Sequence, residues 1–98
     1  KRAAFRRMSM THMGRSTVLL IGTILPQGGP FTLTITAATP KPVQLVFPEL
    51  PDAKTLRDLL LTDIPDDGYF DDVHGSPEYR KHITHYYAEQ IRAELAAA

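Results

Sequence analysis

Histidine supplies the first candidates for chemistry in this 98-residue chain. His82 and His85 stand three apart, and on a helix that spacing puts both imidazoles on one side, as a metal ion requires of its first two ligands. No third ligand is obvious. Glu78 and Glu89 are near, but at spacings ordinary for a helix surface, so a solvated face outweighs a metal site and no metal ligand is assigned. His12 and His74 fall in loop-like segments, where a surface histidine is the plainer reading. Ser9, Ser16 and Ser76 lack the strand–turn–helix elbow and the oxyanion donors that an activated hydroxyl needs. Carboxylates crowd between Asp63 and Asp72 without apolar flanks, so they stay ionised rather than dividing into an acid and a base. Their spacing does not match a calcium-binding EF-hand loop either. Tyr79, Tyr86 and Tyr87 read as core and interface anchors rather than cofactor stackers. There is no cysteine, which excludes thiolate metal sites, disulfides and cysteine catalysis. Its absence fits a reducing compartment, and a cytoplasmic location is expected.

The charge is unevenly spread. The formal net charge is zero, yet Lys1, Arg2, Arg6, Arg7, Arg15 and Lys41 occupy the first 48 residues with no Asp or Glu among them. The remainder holds all eleven acids, including Asp58, Asp63, Asp66, Asp67, Asp71 and Asp72 with no base between them. A basic arm can bind nucleic acid, but this one carries a single aromatic, Phe5, and no recognised nucleic-acid motif. The basic end is instead expected to lie against an anionic partner, a cofactor or the chain's own acidic half. The longest apolar run, Val18 to Ile21, is far too short to span a bilayer. Neither a nucleic-acid nor a membrane partner is expected.

The elements that must position these groups are legible. Residues 16–25 are β-branched and apolar, which suits a strand. Pro26 to Pro30 breaks it, with Gly28 and Gly29 able to turn the chain. Phe31, Leu33 and Ile35 alternate with Thr32, Thr34 and Thr36, the period of a half-buried strand. After the break at Thr39-Pro40-Lys41-Pro42, Val43, Leu45 and Phe47 share a third strand's inner face. Pro51-Asp52-Ala53 opens a helix with Leu56, Leu59, Leu60 and Ile64 in a stripe, closed before Pro65. Pro65 to Gly75 reads as an exposed acidic loop. Ser76 then caps a long helix with Pro77 at its first position and Glu78 in its first turn. Tyr79, Ile83, Tyr86 or Tyr87, Ile91 and Leu95 make its apolar stripe. Strands followed by helices predict one α+β domain: a three-stranded antiparallel sheet packed against C-terminal helices. Its strands fall within residues 16–47 and its helices at about 52–63 and 76–96, after a lead-in segment at 1–15. The first residue is Lys rather than Met, so the chain is expected to be a piece of a larger protein or a processed subunit.

One motif goes further than composition. Residues 75–82, Gly-Ser-Pro-Glu-Tyr-Arg-Lys-His, resemble the Gly-Ser-x-Glu-Tyr-Arg-(Arg/Lys)-His signature near the C-terminus of the FAD-binding (medium) subunits of molybdenum hydroxylases. That family includes carbon monoxide dehydrogenase and xanthine dehydrogenase flavoproteins. Residues 35–43 look like the family's strand ending in Ala-x-Thr-Pro-x-Arg, and Phe5-Arg6 followed by Val18 keeps the spacing of its Phe-Lys…Val segment. The resemblance covers nearly the whole chain and implies the family's C-terminal domain. Such a domain would help to enclose FAD and dock to iron-sulfur and molybdenum subunits, without being catalytic on its own. Electrons would pass from substrate at molybdopterin-bound molybdenum through 2Fe-2S clusters to FAD. The implied partners are an FAD-binding N-terminal domain or subunit and the iron-sulfur and molybdenum subunits. The implied flavin-side residues are Phe5, Arg6, His12 and Arg15; the structural signature is Gly75, Ser76, Glu78, Tyr79 and Arg80.

The chain also departs from the family. Met10-Thr11 and Gly14-Arg15-Ser16 stand where many members carry an Arg pair and then Asp-Ile-(Ala/Ser), so NAD is not implied as electron acceptor. Neither of the family's glycine-rich pyrophosphate loops is present, and Gly28-Gly29 is only a turn pair. The chain by itself is not expected to hold FAD tightly. The alternative reading is a free-standing protein-interaction module of the same fold without redox activity.

Overall fold

Alternation of apolar and polar side chains builds the sheet on which everything else rests. In the computed structural model, which describes residues 2–9, 16–26, 29–36, 38–39, 41–69 and 76–97, the order is β1 (Arg2–Ser9), β2 (Ser16–Ile24), β3 (Phe31–Thr36), β4 (Val43–Phe47), α1 (Ala53–Asp63) and α2 (Pro77–Ala97). The four strands form one antiparallel meander in the order β1-β2-β3-β4. The α+β class expected from the sequence holds, but the sheet has four strands and not three. Its extra strand lies in what reads, by sequence, as a lead-in segment. Arg2–Ser9 carries no apolar alternation of its own; its strand state comes from long-range pairing with β2, in register from Arg2 opposite Ile24 to Met8 opposite Val18.

One face of the sheet is the core. Phe31, Leu33 and Ile35 are fully buried there, each contributing about 1.5–3 kcal/mol by burial. Leu20, Ile24, Leu45 and Phe47 join them. Both helices cover this face. α2 lies across β1 and β2 and packs against α1, burying Ile83, Ala88, Ile91 and Leu95. α1 buries Leu56 and Leu60, and Ile64 just after it is buried as well. The two smallest side chains of the inner face, Ala4 and Gly22, are register partners. A Cβ at Gly22 would meet Ile91 Cγ2 at 2.4 Å, so the absence of a side chain is what lets α2 approach β2.

Each helix has the expected start. Asp52 Oδ1 accepts from the Thr55 N–H at 2.7 Å, and Ser76 Oγ accepts from the Tyr79 N–H at 3.2 Å. Each satisfies a backbone donor that has no partner within its own helix. One open alternative is resolved, and one local expectation needs correction. Tyr86 lies outside the apolar stripe of α2, 54% exposed, and Tyr87 takes the core-side position; Arg80 and Thr84 are buried on that side too. Of the loop expected from Pro65 to Gly75, the part up to Tyr69 is not simply exposed, since Asp66–Gly68 forms a 3₁₀ turn and Tyr69 inserts into the core, while residues 70–75 lie outside the described residues. No helix among the described residues is long and apolar enough to cross a membrane.

Candidate functional site

Three places carry the residues singled out by sequence. The first is the start of α2. Ser76 holds the helix terminus through its hydroxyl, and its carbonyl accepts from the Arg80 N–H at 3.0 Å. Glu78 is exposed in the first turn, Tyr79 packs at the edge of the core, and Arg80 is only 2% exposed. A guanidinium so deeply withdrawn is tolerated only where its surroundings satisfy it, and Arg80 is engaged rather than free. Gly75 lies outside the described residues.

The second is the outer face of the sheet, which neither helix covers. Successive residues of a strand point to opposite faces, and Phe5 and Arg6 therefore part company. Phe5 faces outward, 63% exposed, directly opposite Ile21, which is 41% exposed. The row continues through Thr34 to Gln44, whose side-chain amide donates to the Thr34 hydroxyl at 3.3 Å. Val46, 61% exposed, sits on the same face. Arg6 turns instead toward α2, where Nε donates to Gln90 Oε1 at 3.1 Å and an Nη donates to Glu94 Oε1 at 2.6 Å. Arg2 donates to the Leu95 carbonyl at 3.0 Å. The basic arm thus meets the chain's own acidic half, one of the three destinations the charge pattern allowed. His12 and Arg15 lie outside the described residues.

The third is a cavity of about 430 Å3 beside the N-terminal half of α2, lined by Asp66, Pro77, Glu78, Lys81, His82 and His85. Lys81 Nζ donates to Asp66 Oδ1 at 2.6 Å, and this bond holds the Asp66 carboxyl below the usual range. Asp66 in turn reinforces the burial that pushes the nearby Tyr69 hydroxyl up to about 12. His82 stacks on Tyr86, with ring centroids 6.4 Å apart. His85 is half-buried, and burial, followed by Lys81 and Arg57, pushes its imidazole below the ordinary value. Two carboxylates against one ammonium give the cavity no attraction for an anion. Among the described residues, no group of three metal-binding side chains is placed to hold a metal ion.

These positions bear on the implied flavin as follows. Phe5 offers an exposed ring beside Ile21, a surface suited to lie against a planar isoalloxazine. Gly28 lies outside the described residues, and Gly29 has a packing role. A Cβ there would stand 2.5 Å from the Pro48 carbonyl oxygen, so this glycine serves close packing of the hairpin. The described residues fit a wall against the ring.

Sequence reasoning passed over Lys81, Asp66 and Arg57 around His85, and Ile21 and Val46 on the outer face. A signal for the latter existed. Residues 18–21 are apolar without interruption, the pattern of a strand covered on both sides, whereas here one side is open. Compared with models of protein families, with curated proteins and with solved structures, the chain matches none.

Proposed function

We propose that this chain is the C-terminal domain, or a fragment, of a molybdenum-hydroxylase flavoprotein subunit. In this reading it closes over FAD held mainly by the N-terminal part of that subunit, and docks to the iron-sulfur and molybdenum subunits. The observation that carries the reading is the open outer face of the sheet. Phe5, Ile21 and Val46 are exposed on it, although the uninterrupted apolar run of β2 is the pattern of a strand buried on both sides. A second layer of protein and cofactor would complete it. The signature residues Ser76, Tyr79 and Arg80 support the same reading by anchoring α2 on the opposite face, which leaves the outer face free for docking.

When bound, FAD supplies the redox chemistry. The part of this chain is positioning: Phe5 lies against the ring and excludes water with Ile21, while Arg6 locks β1 to α2 through Gln90 and Glu94 so that the strand carrying Phe5 stays in place. The protein is isolated in its native form through an antibody against this chain, then analysed by denaturing gel, mass spectrometry and visible absorption. Flavin and iron-sulfur absorption, on a longer polypeptide containing this sequence or on larger co-purifying chains, supports the proposal. A colourless single species of this chain's own mass overturns it and leaves the free-standing interaction module.

A further inference from the structure

His85 stands where three elements meet. Its ring lines a cleft of about 210 Å3 with Ala53, Leu56, Arg57 and Leu60 of α1 and with Glu89 of its own helix. It also borders the larger cavity that Asp66 and Lys81 line. Its Nε2 is buried and has no hydrogen-bond partner among the described residues. Among the described residues, the charged and titratable groups around it are Arg57 from α1, Asp66 from the 3₁₀ turn, and Glu78, Lys81, His82 and Glu89 from α2. Two of the carboxylates are already engaged: Asp66 with Lys81 at 2.6 Å and Glu89 with Arg92 at 2.7 Å.

A neutral imidazole is tolerated in this position at the cost of one unmade hydrogen bond. A protonated one is not. Its Nε2–H would be a buried donor with no acceptor, on a ring carrying a positive charge between two other cations. We propose that His85 is a proton-operated latch between α1 and α2: uncharged, its ring walls the cleft and lets the helices stay packed; charged, it loosens α1 from α2. This inference is independent of the flavoprotein reading.

Burial, with Lys81 and Arg57 acting in the same direction, holds the imidazole below its ordinary 6.5. The folded chain therefore takes up this proton less readily than the unfolded chain. The latch's contribution is intact above 6.5 and is lost as pH falls from there through the folded-state value. That window is mildly acidic, where histidine is the usual proton sensor.

The test follows the imidazoles of the intact chain by NMR from about pH 8 to about pH 5, with amide hydrogen exchange measured in α1 and in β3. His85 is expected to titrate below 6.5. As it does so, α1 amides should exchange faster by about threefold or more after correction for intrinsic chemistry, with β3 unchanged. His85→Leu should abolish that response. Arg57→Gln, a change at an exposed position, should move the His85 midpoint upward. A His85 midpoint at or above 6.5 overturns the proposal, as does a pH response that survives in His85→Leu. If His85→Leu does not fold, Arg57→Gln decides, and an unmoved midpoint overturns it.

Discussion

Replacing Gly22 by alanine tests the contact on which the whole arrangement depends, the seating of α2 on β2. The new Cβ would stand 2.4 Å from Ile91 Cγ2 and 3.3 Å from Phe31 Cε1. Carbon atoms reach favourable contact near 3.5 Å, so strand and helix must part locally by about 1 Å. Ile91 cannot swing its methyl aside, because a β-branched side chain in a helix has one strongly preferred rotamer and this one is fully buried. Overpacking of this kind costs about 1–3 kcal/mol. Against it, removing a strand glycine gains about 0.5–1 kcal/mol in chain entropy. The net expectation is a loss of about 0–2.5 kcal/mol, centred on about 1.25, which at about 4–8 °C per kcal/mol lowers the thermal midpoint by roughly 5–10 °C at the centre of that range in a domain of this size. Urea and thermal unfolding followed by circular dichroism measure it. The companion variant Ile91→Ala removes the obstructing methyl and by itself costs about 2–5 kcal/mol. Combined with Gly22→Ala, it should be less destabilising than the sum of the two by about 1 kcal/mol or more. A neutral or stabilising Gly22→Ala, with strict additivity in the pair, would refute the close approach of α2 to β2.

Two further outcomes can be measured on the same preparation. A double-mutant cycle on Arg6→Gln and Glu94→Gln should give a coupling of about 0.2–1 kcal/mol, since the pair is half-exposed, shrinking as salt is raised to about 1 M. A coupling indifferent to salt would mean that packing of the arginine stem, and not the ion pair, joins β1 to α2. Asp52→Asn keeps a side-chain acceptor for the Thr55 N–H but removes the titration. The hydrogen bond from Thr55 lowers the Asp52 carboxyl below its ordinary 3.8, so its contribution is present above that value and lost as pH falls through the folded-state value. Near neutrality the parent should have the higher urea midpoint, and the difference should shrink on acidification; parallel acid limbs would show that the cap's charge contributes nothing.

Where a local pattern also decided the outcome, the fold was legible. The Phe31-to-Thr36 alternation became a strand buried on alternate residues, and the capping residues Asp52 and Ser76 start their helices as their side chains suggest. The misses share a different cause. β1 is rich in arginine and alanine, and nothing within Arg2–Ser9 announces a strand; only its neighbour β2 supplies the pairing. Tyr69 sits in an acidic stretch whose composition reads as exposed, yet the 3₁₀ turn at Asp66–Gly68 redirects the chain and sends its ring inward. Helical spacing admitted Tyr86 and Tyr87 equally, and packing chose Tyr87 for the core side.

The candidate site was harder to read for a reason visible in two adjacent residues. Phe5 and Arg6 match a single short segment of the family they resemble, and a linear motif invites one role for both. A strand forbids that, because neighbours face opposite ways. Arg6 is committed to Gln90 and Glu94 on the helix side, while Phe5 stands on the open side opposite Ile21. The division has a mechanical consequence. Any partner that docks on Phe5 presses on a strand whose other face is tied to α2 through Arg6 and, at the Leu95 carbonyl, through Arg2. The same helix carries His85 against α1. In the proposed readings, docking at the sheet and loosening at the latch would act on one element from two sides, and α2 is the part of this fold through which either would be felt by the other.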